Sequence, residues 1–448
     1  VFASDTTTLR EIAQANRTLQ LHAASSACGG GNRNPAEVLR TLRAAAASGR
    51  FFFGQQDYPF YGVSWSYEPE RSDVSDVCGD RPAVLGCDLG ELELAKGRNL
   101  DGVPFETMRR MIVDHHRHEG LVTLSWHPRN PLTGGDAWDV SQRNVVHEVL
   151  PGGSCHDRFM GWLDDVAAFI TSLRTAEGET IPVLFRPWHE HTGSWFWWGS
   201  MNTAETYKSL YRYTKDYMEQ SGVHNLLWVY SPNGPITSEA AYVSYYPGDE
   251  YVDILAFDYY NDYNSYPAAA DNSFFDSLDT TCNIVSSIAA KRGKIPAIAE
   301  CGVRVMKKDG SDNEGLLVKG NPVGTEASGK NWYQEVSDIA KKNNMPYYLV
   351  WANFGDTNFY VPYKYDDTHG QELINDFIKY YNDDSSIFGG DTGFYSNKGT
   401  LAGVSANTYT GQMGYMVYPF DRDTILKATT LKAGVKNASK AVSYTHLT

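Results

Sequence analysis

Two glutamates close runs of sequence that are otherwise apolar: Glu190 in "VLFRPWHE" and Glu300 in "PAIAE". Two carboxyl groups facing one cleft are the minimum equipment for breaking a glycosidic bond. One delivers a proton to the leaving oxygen and the other attacks the anomeric carbon. Their surroundings must then drive them apart, so that one keeps a proton while the other stays ionised. Trp188, His189 and Trp195 would desolvate Glu190 and favour its neutral form. Arg186 shares a direction with Trp188 if the strand is regular, and could also reach Glu300.

Rings crowd the same places. "GSWFWWG" (193–199) and "LVWANF" (349–354) concentrate tryptophan and phenylalanine beside the two acids. A pyranose presents a face of C–H bonds that packs on an aromatic plane, while its hydroxyls need polar partners around it. Taken alone, an acid at a strand end is more often structural. The pair, with tryptophans beside one member, is what points to catalysis.

Other motifs carry less. "HEHTG" lacks the spacing of a zinc-protease helix, and neighbours on a strand end cannot all face one metal. His115 and His118 in "DHHRHEG" are expected at a solvated helix end. Cys301 should face away from Glu300 and pack inertly. There is no GxSxG elbow and no phosphate-cradling glycine loop. No metal and no cofactor are expected.

Eight short apolar runs can position these groups: 50–56, 82–89, 120–127, 182–190, 225–233, 252–260, 295–302 and 345–354. Helical periodicity lies between them at Phe105–His118, Arg158–Thr175, Ala204–Gln220, Phe274–Lys291, Asn331–Lys342 and Gln371–Tyr381. In the third of these, Tyr207, Tyr211 and Met218 share a face, with Lys208 and Lys215 pointing elsewhere. Eight buried strands alternating with helices predict an α/β (β/α)8 TIM barrel; without GxGxxG after the first strand, an open doubly wound sheet is disfavoured. Catalytic groups then belong at the carboxyl ends of the strands. Gln55, Gln56, Asp88, Trp126, His127, His189, Glu190, Asp258, Tyr260, Glu300, Trp351 and Asn353 all fall there, with Glu190 on strand four and Glu300 on strand seven.

The 448 residues carry a formal charge of −15 and are 13% aromatic. That acidity argues against nucleic acid and against an anionic membrane surface, and no run approaches the ~20 apolar residues of a membrane span. A neutral ligand fits. Cys78 and Cys87 flank a short loop and could form a disulfide or remain buried thiols. The barrel is expected to fill residues 1–390 with an N-terminal helical lead-in, followed by a linker-like 391–414. Residues 415–448 read as the first strands of a further β module, with "SYTHLT" having no visible role. Long Gly- and Asp-rich loops at 130–156 and 307–329 read as functional or mobile.

"FRPWHEHTGSWFWWG", "TLSWHPRNP", "AFDYYND", "IAECG" and "YYLVWANF" together resemble glycoside hydrolase family 26 over about residues 35–390. The resemblance implies a retaining endo-β-1,4-mannanase (endo-1,4-β-mannosidase) on a (β/α)8 barrel. It makes Glu190 the acid/base and Glu300 the nucleophile. His189 and His127 would contact the sugar at the cleaved bond, and Trp195 would wall it. Tyr260 would hold the nucleophile with Asp258 behind it, although Tyr259 could exchange roles with Tyr260. Trp351 would form the floor, and Trp126 and Trp198 would join the sugar-binding rings.

A β-mannan polymer or oligosaccharide is the expected partner, met by a secreted or cell-envelope monomer; the first residues show no basic-then-apolar leader. Family relatives acting on β-glucan or β-xylan, an exo-acting mannobiose-releasing enzyme, and a non-catalytic carbohydrate-binding protein are the alternatives.

Overall fold

The computed structural model of the protein describes residues 34–263, 269–305, 330–354, 360–363 and 373–389. Each of the eight apolar runs carries a strand, and those in runs six and seven continue three residues past the expected end. They are β1 Phe51–Gln56, β2 Val84–Asp88, β3 Leu121–Ser125, β4 Val183–Arg186, β5 Leu226–Tyr230, β6 Ile254–Tyr263, β7 Ile295–Val305 and β8 Tyr347–Val350. A helix follows each: α1 Asp73–Cys78, α2 Phe105–Arg117, α3 His156–Ser172, α4 Ala204–Gln220, α5 Glu239–Val243, α6 Ser273–Arg292, α7 Trp332–Lys342 and α8 Ile374–Tyr381. The six helices expected from periodicity begin and end within three residues of expectation.

Hydrogen-bonded neighbours run from β8 in order to β1, and β1 pairs again with β8, Phe52 opposite Tyr347 and Gln55 opposite Val350. Parallel strands with a helix after each, closing on themselves, make this a (β/α)8 barrel. A ninth short strand of the same sheet, Ser386–Ile387, pairs in parallel with β1.

Two compact units divide the chain. One comprises Val1–Arg43, Gly86–Asp258 and Thr280–Ala299; the other Ala44–Leu85, Tyr259–Asp279 and Glu300–Thr448. In the first, Trp126, Trp188, Trp197 and Trp198 are buried together with Phe159. In the second, Phe51, Phe53 and Tyr348 pack against Phe377, Tyr380 and Phe388 from α8 and the residues after it. Burial of each such ring is worth about 1.5–3 kcal/mol against exposure. Much of the aromatic excess is therefore core.

Helix α4 shows how local sequence and packing combine. Thr203 caps it by accepting the Thr206 N–H at 3.2 Å, and Tyr207, Leu210, Tyr211, Thr214 and Met218 form its buried stripe. Lys215 departs from the expectation of an outward charge. It is 4% exposed, pairs with Glu219, and sets its ammonium 6.0 Å from the Trp228 and Tyr251 rings. Long lysine stems bury their methylenes while the charge finds rings or a carboxylate.

His115 also differs. It is buried, not solvated, with Nε2 bonded to the Leu121 carbonyl at 2.9 Å, and Gly120 leaves room for its ring. Cys78 and Cys87 are buried thiols and form no disulfide with each other, and Cys301 is likewise buried. No helix among the described residues is long and apolar enough to cross a membrane. Helix Pro35–Ala47 leads into β1, while residues 1–33, loop 307–329, linker 391–414 and β module 415–448 lie outside the described residues.

Candidate active site

Strand β4 stops at Arg186, four residues before Glu190. The expected extended run to Glu190 gives way because Trp188 and Glu190 adopt left-handed backbone, with φ 56° and 52°. Non-glycine residues in that region cost about 1–3 kcal/mol each and persist only where their surroundings hold them. Three hydrogen bonds do so. Trp188 Nε1 donates to Thr214 Oγ1 at 3.0 Å, Tyr207 Oη donates to the Trp188 carbonyl at 2.9 Å, and the Glu190 N–H donates to the Ser231 carbonyl at 2.8 Å.

The consequence is a sorting of rings. Trp188 turns into the core. Glu190 stays half-buried, and Trp195 Nε1 donates to its Oε2 at 2.6 Å. Trp195 thus gives the carboxylate a polar partner as well as an apolar neighbour, and with 40% of its surface exposed it still presents ring to solvent.

Asp88 ends β2 and organises the histidines. Its Oδ2 accepts from Ser125 Oγ and His127 Nδ1, both at 2.6 Å, and its Oδ1 from the Gly90 N–H at 2.7 Å. Burial pushes the Asp88 carboxyl up, but the His127 charge and these hydrogen bonds outweigh it and hold it below the ordinary value. An ionised Asp88 fixes a proton on His127 Nδ1. His127 Nε2 then faces His189 Nε2 at 3.1 Å, so one of these nitrogens carries the proton that the other accepts. Burial, followed by the charges of Arg186 and His127, holds the His189 imidazole well below its usual value and keeps it neutral. Its Nδ1 is buried without a hydrogen-bond partner among the described residues.

Arg186 Nη1 donates to Asp258 Oδ2 at 2.8 Å, and Ser231 Oγ to Asp258 Oδ1 at 2.8 Å. Asp258 is 1% exposed, so it anchors Arg186 from within rather than meeting ligand directly.

In the second unit, Glu300 on β7 is 4% exposed and accepts a hydrogen bond from Tyr260 Oη on β6 at 2.7 Å. The neighbouring tyrosine does something else: the Tyr259 ring packs 4.9 Å from Phe274. Trp351 follows β8 and is half-buried. Asn353, two residues on, is buried, and its side chain bonds Asp73 and the backbone at Tyr360 and Val361.

Two rings expected on the sugar lie elsewhere. Trp126 is 0% exposed, packs on Trp188 and Phe159, and donates from Nε1 to Glu93 Oε2 at 3.2 Å. Trp198 is also 0% exposed; it stacks on Phe196 and donates to the His189 carbonyl at 2.8 Å. Both brace the residues in front of them. A ring the motifs missed is Trp138, 47% exposed and stacked on His127 with centroids 5.3 Å apart and planes 13° apart. The available signal was its position: a tryptophan in the polar loop 130–156 has no core of its own to fill.

Residues 37–316 match the sequence profile of glycosyl hydrolase family 26. The chain belongs to that family. A mannan endo-1,4-β-mannosidase of Bifidobacterium adolescentis is 34% identical over 351 residues, 74% of this chain and 33% of that protein. One from Bacillus subtilis is 31% identical over 43% of this chain and 54% of its own length. The chain thus spans about a third to a half of these curated relatives. Among solved family 26 structures, a β-mannanase from Bacteroides ovatus superposes with TM-score 0.69 at 36% identity, covering 79% of this chain and 95% of that one. The catalytic domain of an endo-β-1,4-mannanase from Bacillus sp. JAMB-750 gives TM-score 0.67 at 33% identity, covering 80% and 93%.

Proposed function

We propose that this family 26 protein hydrolyses internal β-1,4-mannosidic bonds with retention of configuration. Glu300 is the nucleophile and Glu190 the acid/base. The observation that carries the reading is the 2.7 Å hydrogen bond from Tyr260 on β6 to Glu300 on the neighbouring β7, which orients one carboxylate from a fixed donor. The mannan endo-1,4-β-mannosidase names of the relatives support the substrate.

In the proposed mechanism Glu300 attacks the anomeric carbon while Glu190 protonates the departing oxygen. Water then cleaves the glycosyl-enzyme with Glu190 as base. Retention requires the two carboxyl groups about 5–5.5 Å apart, too close for an intervening water. His189, buried behind the site, meets His127 through Nε2 and holds that ring in place. Trp195, Trp138 and Trp351 supply ring faces, and Arg186, Asp258, Trp126 and Trp198 hold the groups that touch substrate. A polymer does not enter cells, so this activity belongs outside the cell or at its envelope.

The test is to measure reducing ends released from galactomannan, glucomannan, lichenan and xylan, with NMR of the first anomer formed. Cleavage of the mannans with a β-anomer product is expected. Release from lichenan or xylan alone would move the specificity to β-glucan or β-xylan, and an α-anomer would overturn the double displacement.

A further inference from the structure

Asn353 uses all of its hydrogen-bonding capacity. Its Oδ1 accepts the Tyr360 N–H at 2.7 Å and the Val361 N–H at 3.0 Å; its Nδ2 donates to the Val361 carbonyl at 3.1 Å and to Asp73 Oδ2 at 2.7 Å. Two donors face one end of the amide and two acceptors the other, so the clamp has one orientation. Asp73 is itself anchored, accepting Trp65 Nε1 at 2.8 Å and the Val63 N–H.

The clamp ends on a ring. Tyr360 is 6% exposed, and its ring meets that of Tyr260 edge-on at 5.6 Å. A second bond fixes its backbone, since Tyr333 Oη donates to the Tyr360 carbonyl. Gly302 lies under both rings: a methyl group there would collide with Tyr360 and lie 3.2 Å from Tyr260. Tyr260 in turn donates to Glu300.

We propose that Asn353, anchored by Asp73, is a positioning residue for the Glu300 carboxylate, acting through Tyr360 and Tyr260. The inference rests on Glu300 being the nucleophile. Asn353 touches no reacting atom. It fixes Tyr360, Tyr360 and the bare backbone of Gly302 limit where the Tyr260 ring can lie, and that ring aims the hydrogen bond. A shift of about 1 Å in a catalytic group can lower turnover about 10²-fold.

The experiment is a double-mutant cycle on mannohexaose with Asn353→Ala, Tyr260→Phe and the pair. Asn353→Ala should lower kcat about tenfold to a hundredfold and change KM less than about twofold. In the Tyr260→Phe background the same substitution should cost nearly nothing, because both act through one hydrogen bond. Additive losses, a change confined to KM, or unaltered kcat would each overturn the proposal. Gly302→Ala provides the same readout if Asn353→Ala fails to fold: kcat should fall and KM hold. Glu300→Ala separates the two levels. If that variant stays active the nucleophile assignment fails; if it is inactive while Asn353→Ala turns over normally, only the positioning role fails.

Discussion

Tyr260 Oη stands 2.7 Å from Glu300 Oε2, a hydrogen bond between residues within the neighbouring strands β6 and β7. A hydrogen bond to a charged group is worth about 1.5–3 kcal/mol. Tyr260→Phe removes the donor and keeps the ring, so kcat on mannan should fall about tenfold to a hundredfold. Glu300→Ala should lose several orders of magnitude more. Equal losses in the two would mean that Tyr260 does more than orient.

Trp195 holds Glu190 by one hydrogen bond while exposing 40% of its surface. Trp195→Phe removes the N–H donor and retains a ring face, so kcat should drop with KM nearly unchanged. Trp195→Ala removes both and should raise KM as well. Steady-state kinetics on mannopentaose and mannohexaose separate the two contributions.

Trp138 stacks on His127 and leaves half of its surface to solvent. Removing such a platform costs about 0.5–1.5 kcal/mol beyond lost area. Trp138→Ala should therefore raise KM about tenfold while the rate at saturation falls less. A change in kcat alone would place the ring in support of His127 instead of under a sugar.

Asp376 lies in α8 and accepts the Tyr333 N–H at 2.7 Å, capping the start of α7. Burial pushes its carboxyl up to about 6, only partly opposed by the hydrogen bonds of Gln334 and Tyr333. The folded state thus keeps a proton that the unfolded chain has released above its ordinary carboxyl range. Between about pH 4 and about 6 the folded state binds more protons, so this group's contribution to stability falls as pH rises, by roughly 3 kcal/mol in all. Above that window it is constant. In urea unfolding, Asp376→Asn should lose less stability than the parent, or gain more, as pH rises from 4 to 6; an unchanged slope would remove Asp376 from the account.

The barrel was legible because its signals are local. "VLFR", "LLWVY" and "YYLV" are apolar runs bounded by turn residues, and runs buried on both faces read the same way in any parallel sheet. Counting assigned Glu190 to strand four and Glu300 to strand seven, whereas the structure sets Glu190 four residues past the end of β4 and Glu300 within β7. What a side chain does beyond a strand end was less accessible. "DYY" left Tyr259 and Tyr260 interchangeable until Phe274 took one ring and Glu300 the other. Lys215 reads as a surface charge until Trp228 and Tyr251 are beside it.

The amino-acid order alone determined the eight strands, six of the helices between them and which two strands carry the paired acids, since apolar periodicity and chain breaks act over a few residues. Tertiary structure decided which tryptophans face solvent. The left-handed turns at Trp188 and Glu190 are held by Thr214, Tyr207 and Ser231, and they send Trp188 into the core while Trp195 reaches the carboxylate. It also joined Asn353 to Asp73 across 280 residues of sequence. Contacts that distant leave no periodic trace, because they form only when the folded chain returns to the same place.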